Sequence, residues 1–83
     1  MWFLYILKCS DGSFYTGISN NIEERLKQHN SGKASKYTRA RRPVVLIYTE
    51  ELDGKSQALK REMEIKRLNR KQKEQLVGKN NDQ

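Results

Sequence analysis

Cysteine is almost missing: Cys9 is the single one among 83 residues. One thiol cannot close a disulfide within the chain, so no disulfide framework supports the fold and nothing points to secretion. The expectation is a cytoplasmic protein in which Cys9 is a strand residue next to a turn. Long apolar runs are missing as well. No stretch approaches the roughly 18 apolar residues that a membrane-crossing helix needs. The apolar opening, Met1 to Leu7, has no basic region before it and no cleavage signal after it, so it reads as a strand rather than a signal peptide. Histidine occurs once, at His29, and proline once, at Pro43. That scarcity removes Cys/His zinc spacing, and the chain also lacks a Ser/His/Asp set, a paired-carboxylate cleft and a phosphate-binding glycine loop.

Positive charge is plentiful. Seventeen Lys and Arg stand against ten Asp and Glu, a formal net charge of +7. Such a balance favours a polyanionic partner, and nucleic acid is the default, because lysines and arginines that neutralise phosphates release condensed counterions. A membrane surface is the competing polyanion, but no segment pairs an aromatic face with a solid basic one. The densest basic run is Lys33, Lys36, Tyr37, Thr38, Arg39, Arg41 and Arg42. It reads either as a solvated connection or as a phosphate track with an aromatic inside it.

The length allows one domain, spanning 1–77, followed by a polar tail over 78–83 expected to be disordered. Its core must be modest, since a domain of this size buries only about 60% of the surface of its unfolded chain. Trp2 to Cys9 and Ser13 to Ser19 read as strands joined at Ser10-Asp11-Gly12. A three-residue loop closed by Gly12 in the left-handed region sets the register. Leu4, Ile6, Phe14, Thr16 and Ile18 then share one clean apolar face, and Tyr5, Leu7, Cys9, Tyr15 and Gly17 share the other. A slip of one residue would scramble both faces. A helix follows to about Asn30, capped by Asn20 or Asn21, with Asn20 and Glu23 resembling a capping box, and it stops at Gly32. Pro43 leads into a third strand, Val44 to Leu52. A long helix over 56–68 and a shorter one over 70–77, capped by Asn69, complete the pattern. This strand-strand-helix-strand-helix-helix order predicts a small α/β layered domain.

Two helices place polar side chains on apolar stripes. At about 100° per residue, Arg25 and His29 fall beside Ile22 and Leu26. On the long helix Ala58, Ile65 and Asn69 share a face with Glu62 in the middle of it. Buried charges need partners. Glu62 could pair with Arg25 as a structural ion pair, or it could hold a hard divalent cation that prefers a carboxylate, water and substrate phosphate. Two tyrosines, an arginine, a histidine and one glutamate suit phosphodiester hydrolysis. A metal on Glu62 stabilises the leaving oxygen, Arg25 contacts the phosphate, and a tyrosine takes a proton from water.

These residues resemble the signature of the GIY-YIG nuclease family. Phe3-Leu4-Tyr5 stands at the first motif and Tyr15-Thr16-Gly17 at the second. Arg25 and His29 stand at the helix positions, and Glu62, in Ala58-Leu59-Lys60-Arg61-Glu62, at the metal-ligand glutamate. The likeness spans about residues 2–77 and is strongest to small stand-alone bacterial members. Both motifs depart from the usual wording, reading FLY and YTG, but keep the tyrosines and the second glycine.

The resemblance implies an α+β fold with a three-stranded antiparallel sheet flanked by helices. It implies endonucleolytic hydrolysis of DNA with one divalent cation, Mg²⁺ or Mn²⁺, in repair or recombination. Tyr15 or Tyr5 is then the general base or water positioner, with Tyr15 favoured. Arg25 binds the phosphate, His29 assists the proton transfer and Glu62 holds the metal. Asn69 lines the site, and Lys36 or Tyr37 touches substrate. Targeting then comes from DNA shape or a borrowed protein partner. The alternative is a module that keeps the fold and binds nucleic acid without cutting. A basic protein-interaction adaptor is a third reading.

Overall fold

The computed structural model describes residues 1–81. The elements run β1 (Trp2–Lys8), β2 (Phe14–Ser19), α1 (Ile22–Asn30), α2 (Lys36–Arg39), β3 (Val45–Leu52), α3 (Lys55–Lys66) and α4 (Arg70–Asn81). The strands form one antiparallel sheet in the order β2-β1-β3. With β1 central, the successive residues Leu4, Tyr5, Ile6 and Leu7 are all buried, so both of its faces are covered. That explains why the opening segment is continuously apolar instead of alternating.

The hairpin has the three-residue loop expected from the pattern. Cys9 N–H donates to the Ser13 carbonyl at 2.8 Å and Gly12 N–H to the Cys9 carbonyl at 2.9 Å. Gly12 takes φ +85°, a conformation open to glycine without steric cost. The resulting register sets Leu4 opposite Ile18, Tyr5 opposite Gly17, Ile6 opposite Thr16 and Leu7 opposite Tyr15. On one face Leu4 and Ile6 pack with Tyr48, Ile65 and Val77, so α3 and α4 cover it. On the other, Tyr5, Leu7, Cys9 and Val44 pack with Tyr15, Ile22 and Leu26, so α1 covers it.

The helix ends differ from expectation in three places. The cap of α1 is Asn21, whose side chain accepts from Glu24 N–H at 3.2 Å; the Asn20–Glu23 box is not formed. The choice follows from Ser19, whose hydroxyl bonds both the Asn21 N–H and the Asn21 carbonyl and so fixes Asn21 as the last extended residue. Helix α3 ends at Lys66, so Asn69 lies beyond it and not on the Ala58–Ile65 stripe. Asn69 instead caps α4 reciprocally with Gln72: its oxygen accepts from Gln72 N–H at 2.8 Å and its own N–H donates to the Gln72 side chain at 3.0 Å. Helix α4 continues to Asn81, through four residues of the expected disordered tail. Gly78 does not stop it, because glycine in a helix interior costs only about 1 kcal/mol relative to alanine. The rest of that tail lies outside the described residues. No helix of the described residues is long and apolar enough to cross a membrane.

Candidate active site

The site begins at the cross-strand pair Tyr5–Gly17. A Cβ on Gly17 would lie 2.6 Å from the Tyr5 hydroxyl, so the phenol passes directly over β2 where a side chain is missing. Its hydroxyl meets Nε2 of His29 at 2.9 Å. His29 is 1% exposed, on the inner stripe of α1. Its other ring nitrogen, Nδ1, is 2.8 Å from the Thr38 hydroxyl. Thr38 in turn donates to the Ser35 carbonyl at 3.3 Å. A hydroxyl has one proton, so the Thr38 oxygen accepts from His29 Nδ1–H, and Nε2 is left to accept from Tyr5. Donation thus runs from Tyr5 to His29, from His29 to Thr38 and from Thr38 to the Ser35 carbonyl.

Two further rings close the pocket. Tyr15 lies edge-on to His29 with centroids 5.0 Å apart, and Tyr37 stacks beside Tyr15 at 6.1 Å. Both signature tyrosines are therefore on one face of the sheet, against the same imidazole. Helix α2 is short because it is a docking turn. Ser35 caps it by accepting from Tyr37 N–H, Tyr37 faces Tyr15, and Thr38 reaches His29.

Charge enters from both layers. Burial pushes the Tyr5 phenol above the ordinary tyrosine range, Tyr15 adds to this, Arg25 opposes it and Glu62 adds again. The Tyr5 hydroxyl thus senses Arg25 from α1 and Glu62 from α3, although those helices cover opposite faces. Both charges act on it because Tyr5 reaches across Gly17 to the sheet edge formed by β2. Burial, and then the positive charge of Arg25, lower the His29 pKa, so the imidazole is neutral near pH 7.

Arg25 and Glu62 do not form the structural ion pair that was the simpler reading. Among the described residues, no carboxylate lies within salt-bridge distance of Arg25. Glu62, its side chain 18% exposed, pairs with Lys66 at 3.2 Å; Lys66 is itself 54% exposed. The described residues contain no group of three or more His, Cys, Asp and Glu able to enclose a metal. One half-buried carboxylate with an exposed lysine as its counterion fits a cation that takes a single protein ligand and completes its shell with water and phosphate.

The remaining basic candidates divide. Lys33, Lys36 and Arg39 are exposed. Arg41 lies 3.8 Å over the Tyr37 ring, bonds its carbonyl and pairs with Asp11 at 3.0 Å. Arg42 donates to the Arg39 and Asn30 carbonyls. Arg41 and Arg42 therefore brace the connection, and Asn69 caps a helix. Thr38 escaped sequence reasoning. Its only signal is Ser35 three residues ahead, the spacing of an N-cap and the end of its first turn.

The comparison with known proteins sets this fold in a class of nuclease domain. The GIY-YIG catalytic domain matches residues 1–75, and the chain belongs to that family of endonucleases. Within it several similar proteins carry the name UPF0213. One from Staphylococcus saprophyticus is 53% identical over 76 residues, covering 92% of this chain and 93% of its own. One from Halobacterium salinarum is 49% identical, covering 92% and 99%. Two solution NMR structures share the fold. A UPF0213 protein of Bacillus halodurans matches with TM-score 0.61 and 47% identity, over 94% of this chain and 84% of that one. A protein of E. faecalis matches with TM-score 0.65 and 44% identity, over 98% and 86%.

Proposed function

We propose that this domain cuts DNA by hydrolysing a phosphodiester with the help of one divalent cation, Mg²⁺ or Mn²⁺. The observation that carries the reading is the Tyr5 hydroxyl held by a neutral, buried His29 while sensing both Arg25 and Glu62. Glu62 holds the cation. A cation bound there supplies positive charge to the leaving oxygen and the developing phosphorane. Arg25, which has no carboxylate partner among the described residues, takes the non-bridging oxygens of the scissile phosphate through its fork of N–H groups.

The family resemblance favours Tyr15 as the base; the hydrogen bond between the Tyr5 hydroxyl and His29 supports Tyr5 in that role instead. Because burial disfavours the Tyr5 phenolate, Tyr5 acts as a relay and not as a standing anion. The attacking water gives a proton to the Tyr5 oxygen while the Tyr5 proton passes to Nε2 of His29. Thr38 holds the imidazole in the tautomer that can accept it, the logic of a base oriented by a third group. Tyr15 walls the pocket against His29. The free, buried Cys9 suits a reducing compartment such as the cytoplasm.

The test is cleavage of a panel of DNA and RNA structures with Mg²⁺ and Mn²⁺. Glu62→Ala and Arg25→Ala are each expected to lower the rate by about 10²-fold or more, the scale of removing one group that stabilises transition-state charge, with folding retained by circular dichroism. Full-rate cutting by Glu62→Ala removes the metal role. Salt-dependent binding without metal-dependent cleavage on every substrate leaves the non-catalytic module.

A further inference from the structure

Just beyond the pocket, β2 forms the floor of a groove of about 230 Å³ lined by Phe14, Tyr15, Thr16, Tyr37, Lys66 and Lys73. Its charged members are both lysines, one from the end of α3 and one from α4. Thr16 is 5% exposed, and its hydroxyl oxygen is shut away from water with no hydrogen-bond partner, the one buried side-chain polar atom in that state among the described residues. Native proteins rarely leave such a group unpaired without a ligand, a water or a function to explain it. The long, flexible side chains of the same wall are Lys66 and Lys73.

The edge of β2 adds backbone donors. Cys9 N–H bonds the Ser13 carbonyl at 2.8 Å. The alternation of an antiparallel ladder then makes Leu7–Tyr15 and Tyr5–Gly17 the bonded pairs and turns the amides of Phe14 and Thr16 away from β1. Stacking of a base is less well served. Tyr37 already carries Arg41 over its ring at 3.8 Å and Tyr15 beside it at 6.1 Å. The groove is therefore equipped for an anion. It also touches the proposed metal ligand through a shared side chain, since Lys66 pairs with Glu62 at 3.2 Å.

We infer that this groove is a second phosphate subsite, which holds the backbone phosphate neighbouring the one that is cut. Lys66 and Lys73 neutralise it, and the Thr16 hydroxyl donates to one of its oxygens. The inference rests on the endonuclease reading for what lies next door, but not for its own measurement.

The test follows binding of a short fluorescent DNA duplex in EDTA, where no strand is cut, across a range of KCl. Lys66→Gln and Lys73→Gln are each expected to lower the slope of log affinity against log salt by about one, the loss of one phosphate contact. Lys55→Gln, at the opposite end of α3, is expected to leave that slope unchanged. Thr16→Val is expected to weaken binding at fixed salt while melting no lower than the wild type. Equal slopes for the three lysine variants, or wild-type affinity in a folded Thr16→Val protein, overturn the subsite. Lys73→Gln and Thr16→Val leave the ion pair between Glu62 and Lys66 intact, so their results do not bear on Glu62. Conversely, a Glu62→Ala protein that cuts DNA while the two lysine slopes still fall removes the metal site and keeps the groove.

Discussion

Gly17 is constrained by what crosses it. An alanine Cβ there would fall 2.6 Å from the Tyr5 hydroxyl and 2.7 Å from the ring carbon that bears it, so the phenol has to leave His29. Gly17→Ala is expected to destabilise the fold by about 1–3 kcal/mol, the usual range for overpacking, as read by urea denaturation, and to abolish cleavage. Tyr5→Phe is gentler on shape. It strands the His29 Nε2 acceptor and is expected to cost about 1–3 kcal/mol for an unpaired buried group. Acid acts on the same imidazole. The folded pKa of His29 lies below that of the unfolded residue, so in acid the unfolded chain takes up the proton first. Stability from this group is complete above about pH 6.5 and is lost as the pH falls from there through the lower folded value. Denaturation midpoints at pH 8 and pH 5.5 measure it, and the wild-type drop is expected to shrink in His29→Gln.

The five candidate site residues could be picked out from where the periods place them. Arg25, His29 and Glu62 interrupt apolar helical stripes, and Tyr5 and Tyr15 share a strand face once the loop length is known. Thr38 was not legible. Its part depends on where a four-residue turn docks, and no period records that.

Among the elements, α3 is fastened to β3 by a polar network that the pattern did not reveal. Arg61 grips Glu50 with two N–H groups at 2.8 and 2.9 Å, and Tyr48 donates to the same carboxylate. Burial alone would raise the Glu50 pKa, but the hydrogen bonds from Arg61 and Tyr48 outweigh it and hold it below the ordinary carboxylate range. Its stabilising share is therefore present above the unfolded pKa and lost as the pH falls through the lower folded value. Arg61→Ala leaves that half-buried carboxylate short of donors, and a loss of about 1–3 kcal/mol is expected, seen as a lower melting temperature at pH 7. Glu50 and Arg61 stand eleven residues apart on different elements, so spacing could not pair them. Element types and order were readable from periodicity and turn residues. Helix ends were less so, because Asn20 and Asn21 offer the same capping chemistry and Ser19 decides between them through tertiary geometry.

At the scale of the molecule, a radius of gyration of 12.2 Å is close to the roughly 12 Å expected for a compact domain of this length. A net charge of +7 on so small a body is a property of surface and partner, not of fold. Some of it is internal bracing, as Arg41 on Tyr37 and Arg70 over Phe14 show. The basic total therefore overstates the number of phosphate contacts. The salt slope for DNA binding is expected to correspond to fewer phosphates than the seventeen lysines and arginines would suggest, which titration of affinity against KCl will measure.

Because Tyr5 leans over a glycine to the rim of the sheet, its hydroxyl feels charges from both helical layers instead of being screened from one of them. Neither layer carries all of the groups proposed to react. If the proposed mechanism holds, loosening α3 from the sheet, by even a local opening that leaves the hairpin and α1 intact, draws Glu62 away from Tyr5 and is expected to silence cleavage while most of the fold still stands.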